Sequence, residues 1–500
     1  MSNPTMRPHP ILAVCAAALL SVAGCGQKRV AVVDSNPIIT KALSDTASRF
    51  YIDFSQYPGD MKDLPIGVFD SGTGGLTVLE RLLALDAFNN ISGAGVSDDI
   101  KDFAGEHFVY LADQANMPYG TYDAAGKASY LKELVVKDAL FLLGNNYYKT
   151  ALDKTPDGVK PRCKILVIAC NTATAYGLED VERLLEGAGC GVKVIGVINA
   201  GSAATLDRLE GQKSPYAIGV LATQGTIASG AYERTLRKMI EDRGITTAVT
   251  IVNQSGYGFA EAVDGETDFV NPNLTEPREG YRGPRIGNGD ADLKEALMGA
   301  YNFNYDGAGI LFAAGDEEKA PEIQLNSAEN YARFNFVSLV ERHRQSGSLA
   351  PLKALILGCT HYPFQLETLQ QTAAELRAYN IDGVYPYRDL ISPDLVFIDP
   401  AYYTSVECYQ TLRKDGNLAF RITPQEVSAF ISVPSADLEK DKLTPDGRLT
   451  YEFKYGRETG TEDITTKQVP FAFSNIDENN LERIKRLLPH CYSLIYPTLR

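Results

Sequence analysis

Histidine is scarce in this chain. Only five occur in 500 residues, none at ligand spacing from another, so no dedicated metal site is expected. Basic clusters are missing as well: 48 Lys and Arg against 63 Asp and Glu leave a formal net charge of −15. With no Lys/Arg run and no basic helix, that balance argues against a nucleic-acid partner. The glycine-rich turn Gly72-Thr73-Gly74-Gly75 lacks the Lys-Ser/Thr ending of a phosphate-binding loop and the spacing of a dinucleotide fingerprint. Neither ATP nor NAD is expected, and no other cofactor is called for. Long apolar runs are equally rare. The one of note, residues 11–22, follows Arg7 and is too short to span a bilayer.

That run has the length of a signal-peptide hydrophobic region and ends in Leu20-Ser21-Val22-Ala23-Gly24-Cys25. Small residues before a cysteine resemble the lipobox at which bacterial lipoproteins are cut and acylated. The expectation is a signal peptide over residues 1–25, lipidation at Cys25, and a tether or lead-in over residues 26–63. The body would then be held outside the cytoplasm by its lipid anchor. No acidic residue directly follows Cys25, which favours the outer membrane over the inner. Beyond Cys15 and Cys25, the six cysteines Cys163, Cys170, Cys190, Cys359, Cys408 and Cys491 make an even number that an oxidising compartment could pair.

Two of these six have a different setting. Cys170 lies in ILVIACNTAT and Cys359 in ALILGCTHYP; each follows a short apolar segment and precedes a helical pattern, residues 176–185 and 364–376. A thiol between a strand and a helix N-terminus is placed to become a thiolate. Two such thiols across a cleft can take a proton from one face of a carbon and return one to the other, which is racemase chemistry.

At 44% hydrophobic residues the chain can build a large core and more than one domain. Its alternation of apolar runs and helical spacing reads as an α/β fold with mostly parallel sheets. Strands are expected at residues 66–69, 108–112, 165–169, 194–198, 217–222 and 354–357. Helices are expected at residues 76–85, at 129–143 with Ser129 as N-cap, and from the 223–232 turn to about 241. The pattern repeats: IGVFDSGTGG pairs with IGVLATQGTI, and LVIACNTAT with LILGCTHYP. The expected division is a first half over 64–200 with an insertion at 89–106, and a second half over 201–422 with an insertion at 265–330. Residues 423–500 form a C-terminal extension with a final helix, in which 449–455 has a β-like run. Loops at the carboxyl ends of the two sets of strands would form a site in the crevice between them.

IGVFDSGTGGLTVLERL, MPYGT, LVIACNTATA, GVLATQGTIASGAY and LILGCTHYPF, in that order, resemble glutamate racemase of the cofactor-independent aspartate/glutamate racemase superfamily. The resemblance covers most of residues 65–399 apart from the insertions. It implies two pseudo-symmetric, doubly wound parallel-sheet domains with an amino acid bound between them, and a homodimer. Cys170 and Cys359 match the two bases, and Asp70 and His361 their polar assistants. Ser71, Pro118, Tyr119, Gly120, Asn171, Thr172 and Thr360 match positions that line the substrate. A family glutamate that assists catalysis falls on Asp264, and Asn199-Ala200 follow the fourth strand where the family carries Glu-Pro. The implied activity is interconversion of L- and D-glutamate, with a role in the peptidoglycan cell wall. Racemisation of another amino acid such as aspartate, or amino-acid binding by an inactive lipid-anchored protein, are the alternatives. One thiol must be ionised while the other is protonated, so activity should fall at both pH extremes.

Overall fold

The computed structural model describes residues 36–315, 322–419, 424–476 and 478–499. Cys25, the expected signal segment and the start of the tether lie outside the described residues.

The principal strands, in chain order, are β1 (Ile66–Asp70), β2 (Phe108–Ala112), β3 (Ile165–Ile168) and β4 (Lys193–Gly196) in one sheet. A second sheet holds β5 (Tyr216–Ala222), β6 (Val249–Ser255), β7 (Leu352–Gly358) and β8 (Ile391–Ile398). β9 (Val427–Pro434) and β10 (Thr466–Pro470) complete the first sheet. The strand order is β10-β9-β2-β1-β3-β4 in the first sheet and β8-β7-β5-β6 in the second. Within these two sheets all pairings are parallel except β9 with β10. Within each half the first four strands therefore lie in the order second, first, third, fourth. That shared order is the structural form of the sequence repeat.

Every residue of β1, β2 and β3 is buried, as a parallel sheet covered on both faces requires. Ile66 and Val68 of β1 pack toward the helices Leu76–Ala84, Pro400–Lys414 and Pro489–Ile495. Phe69 faces the opposite way, toward Ala128–Leu143 and Asn171–Ala188. This alternation is the two-residue period of a strand working on two covers. The first half is thus doubly wound, and the second repeats the plan with cores on both faces of β5 and β7.

Several local expectations change. Ser129 sits inside the helix Ala128–Leu143, and Lys127 at the cap position makes no side-chain capping bond. The fourth strand stops at Gly196, and Val197 begins a helix that runs to Arg208. The β-like run at 449–455 is instead the helix Tyr451–Gly456, capped by Thr450. β6 and β8 escape sequence reading because they are edge strands of mixed burial. The extension is not an appendage, since β9 pairs directly with β2. The insertion at 89–106 is exposed at its tip but ends in the buried residues Asp102, Phe103 and Glu106. There Glu106 meets a fully buried Lys164 at 2.7 Å. Much of the second insertion is core, with Phe269, Tyr281, Leu293, Tyr301 and Phe303 packed under the helix Ala328–Gln345. All six cysteines among the described residues are free thiols.

Candidate active site in the cleft between two sheets

In an open parallel sheet the crevice forms where strand order reverses, at the carboxyl ends of the strands on either side. In the first sheet that point lies between β1 and β3, where Asp70 closes β1 and Cys170 follows β3. In the second sheet β5 and β7 play the same parts, and Cys359 follows β7 directly. The two crevices open on one cavity of about 840 Å³. Its walls meet closely at Gly120 and Gly225, where a Cβ on Gly225 would stand 3.1 Å from the Gly120 Cα. Tyr232, from the second half, donates a 2.9 Å hydrogen bond to Asn171 Oδ1 in the first.

On the first side, the Asp70 carboxylate accepts the N–H groups of Gly72 and Gly75 at 3.1 and 2.9 Å. Gly75 has to be glycine: a Cβ there would lie 2.3 Å from the Asp70 Cβ. Cys170 occupies the N-cap of the helix Asn171–Ala188, and its Sγ accepts from the Ala173 N–H at 3.4 Å. Its own weak bond to Ser71 Oγ is 3.5 Å long. The helix terminus alone would favour a thiolate. Burial and the neighbouring Asp70 charge outweigh it and push the Cys170 thiol up to about 12. Burial likewise raises Asp70, against the hydrogen bonds it accepts. The expectation of a thiolate near neutral pH therefore fails at this cysteine, which rests protonated.

The second side is a relay of polar contacts. Cys359 Sγ lies 3.3 Å from His361 Nδ1, and His361 Nε2 lies 3.1 Å from Asp264 Oδ1. Burial works against a charged imidazole, yet Cys359 and Asp264 together hold the His361 pKa at about 10. Asp264 is depressed: its burial is overcome by hydrogen bonding and charge from His361 and Arg483. An imidazolium flanked this way donates Nδ1–H toward the sulfur and Nε2–H to the carboxylate.

The cavity gathers the sequence candidates. Cys170, Cys359, Asp70, His361 and Asp264 all line it. So do Ser71, Pro118, Tyr119, Gly120, Asn171, Thr172 and Thr360. Tyr119 is firmly held. Its ring is 1% exposed, and its hydroxyl lies 2.5 Å from Asp113 and 2.7 Å from Asp138. A hydroxyl carries one proton, so one of these carboxyls must itself donate; Asp138, raised by burial and by Asp113, is the one that keeps a proton. Sequence reasoning missed Arg483 and Asn480, which reach the cavity from the C-terminal helix Glu478–Leu487. It missed Lys454 too, which donates at 2.6 Å to the Met117 carbonyl under the Pro118 loop. Nothing local marks these residues: they lie on ordinary charged helix faces, and Arg483 is 219 positions from Asp264.

Fold and cavity define a two-domain α/β protein in which each domain presents one cysteine and one polar partner to a shared cleft. No family model matches the chain. Among individual proteins, a glutamate racemase of Limosilactobacillus fermentum is 30% identical over 295 residues, 58% of this chain and 85% of that relative. Those of Oceanobacillus iheyensis and Enterococcus faecalis are 33% and 35% identical over 180 and 197 residues, 36% and 38% of this chain. In these two matches the chain spans about half the relatives' length, 49% and 55%. The solved glutamate racemase isoform of Bacillus anthracis aligns with TM-score 0.41 and 21% identity over 74% of this chain and 89% of its own. That of Francisella tularensis, solved with D-glutamate, aligns with TM-score 0.40 and 18% identity over 80% and 99%. The chain belongs to the glutamate racemase family.

Proposed function

We propose that the protein interconverts L- and D-glutamate by proton transfer at Cα, without a cofactor, between the thiols of Cys170 and Cys359. The observation that carries this reading is the pairing of two thiols from two sheets on one cavity, each beside its own titratable partner. In the resting site Cys170 is protonated and Cys359 faces an imidazolium. Cys359, as thiolate, removes the Cα proton: the C–H bond breaks, its electron pair stays on Cα, and an S–H bond forms. Cys170 then delivers its proton to the other face, and that S–H electron pair stays on sulfur. In the return direction the roles exchange, with Asp70, made more basic by burial, placed to assist Cys170. Backbone N–H groups at the start of the helix Asn171–Ala188 suit the substrate's α-carboxylate. Holding the ammonium charged favours loss of the weakly acidic Cα proton.

The test is proton NMR of the reduced protein with L-glutamate in D₂O, with circular dichroism following the enantiomers. Loss of the Cα–H signal together with racemisation is expected. Cys170→Ser and Cys359→Ser should each lower racemisation by at least 10²-fold, the scale of a positioned acid or base; full activity in either would sink the two-thiol mechanism. Exchange with aspartate and not glutamate would keep the chemistry and change the substrate.

The Leu20–Cys25 pattern supports a second part of the proposal: a body held by lipid at Cys25 outside the cytoplasm, on the periplasmic side of the outer membrane in preference to the inner, acting on glutamate linked to the cell wall. The resemblance also supports a homodimer. Fatty-acid labelling lost in Cys25→Ala, and a mass from light scattering twice that of one chain, are the expected results.

A further inference from the structure

The helix Glu478–Leu487 belongs to the C-terminal extension, yet it borders the cleft. Its chain is fastened to the first half just beyond the helix, where Glu80 accepts the N–H of His490 at 3.1 Å and that of Cys491 at 2.8 Å. Arg483 extends from it to the second half. Its Nη1 donates to Asp264 Oδ1 at 2.9 Å and lies 3.2 Å from His361 Nε2. Its Nη2 donates to Thr73 Oγ1 at 2.8 Å, in the glycine-rich turn of the first half, and to Asn480 at 3.2 Å. The side chain is 10% exposed, and its buried Nε has no hydrogen-bond partner among the described residues. Asp264 Oδ1 is therefore shared by two cations from different parts of the chain.

We propose that Arg483 is a positioning residue of this site. It spans the cleft from Thr73 to Asp264, holds that carboxylate in register with His361, and sets the pH range over which the Cys359 side of the relay is charged. This rests on the two-thiol reading for its purpose but not for its geometry. Other charged or titratable groups around the relay are Glu261 on the helix Phe259–Asp264, Glu266 beyond it, Tyr362 after β7, and the buried Tyr232 on the helix Ala231–Asp242. Asp70, Cys170 and Tyr110 face it from the first half. Among the residues lining the cavity, Arg483 is the sole arginine or lysine. Removing a positive charge from such a cluster makes every proton in it harder to lose, so acid and basic limbs both move to higher pH.

The test needs no turnover. The rate of Cys359 alkylation by iodoacetamide on the full chain, read by mass spectrometry of the peptide that carries Cys359 after quenching and digestion, is followed against pH in wild type, Arg483→Gln, Arg483→Met and Arg483→Lys. The two neutral variants should move the curve upward by about half a unit or more, and Arg483→Lys should restore most of it. Two neutral replacements guard against one failing to fold. Coincident curves for a folded neutral variant and wild type overturn the proposal; so does an upward shift that Lys leaves uncorrected, since charge would not be its agent. A wild type that fails to racemise glutamate yet shows the shift would sink the proposed activity and leave this role standing. If it racemises, the pH–rate profile of kcat/KM should move with the alkylation curve.

Discussion

The two cysteines at matched places in the repeat end up beside different partners. At Cys170 a buried carboxylate, Asp70, stands beside the sulfur and the thiol is pushed up to about 12. At Cys359 the neighbour is an imidazole whose charge Asp264 supports. His361 makes a prediction about stability. Its pKa is raised from 6.5 to about 10 on folding, so the folded state holds the proton more tightly. That contribution is complete below pH 6.5, declines as pH rises, and is gone above about 10. Asp264 is depressed below 3.8, so its share is present above that value and lost as pH falls. The deficit of His361→Asn against wild type in urea unfolding should therefore be greatest between about pH 4.5 and 6.5 and close towards pH 10. A deficit independent of pH would mean that folding leaves the imidazole at its ordinary pKa.

At the scale of elements, the glycine-rich turn after β1 separates stability from activity within two adjacent residues. A Cβ on Gly75 would press on Asp70 and stand 3.0 Å from the Ala169 Cβ. Gly75→Ala should cost about 1–3 kcal/mol, the usual penalty of overpacking, and displace the carboxylate. A Cβ on Gly74 meets Asp70, His361 and Thr360 at 3.6–3.8 Å, ordinary contact distances, but inside the cavity wall. Gly74→Ala should keep wild-type stability within about 0.5 kcal/mol and raise KM as it takes up substrate space. Thermal unfolding and kinetics on the pair check this; equal loss of stability in both would show that the turn yields as a unit.

For the whole molecule, the C-terminal extension is what makes the first half a closed body. Val427, Ile431, Val469, Phe471, Ile484, Leu488 and Ile495 all enter the core on one face of the first sheet. Burying them is worth roughly 1.5–3 kcal/mol each, comparable in sum with the entire stability of a domain, about 5–15 kcal/mol. A chain ending at residue 422 should therefore be insoluble or unfolded, with the β2 edge bare. Recovery of a soluble truncated chain with native circular dichroism would reduce the extension to a lid. Excision of the loop tip around Ile91 and Val96, 91% and 66% exposed, should leave the unfolding temperature nearly unchanged.

Much was determined by local sequence. Short apolar runs ending in Asp70, Cys170 and Cys359 encode buried parallel strands, because only a strand covered on both faces is apolar at every position. The repeat of those runs encodes two halves and places a thiol at the same point of each. Tertiary structure decided the rest. Charge at a thiol depends on what stands a few ångströms away after folding, so two cysteines in like motifs diverge. Edge strands β6 and β8 carry too mixed a pattern to be read alone. Much of the second segment that looks like an insertion is core because its apolar residues, widely spaced in sequence, find faces of sheet and helix that exist only once the chain has folded. Arg483 reaches Asp264 for the same reason: the chain must return to its first sheet before the two can meet.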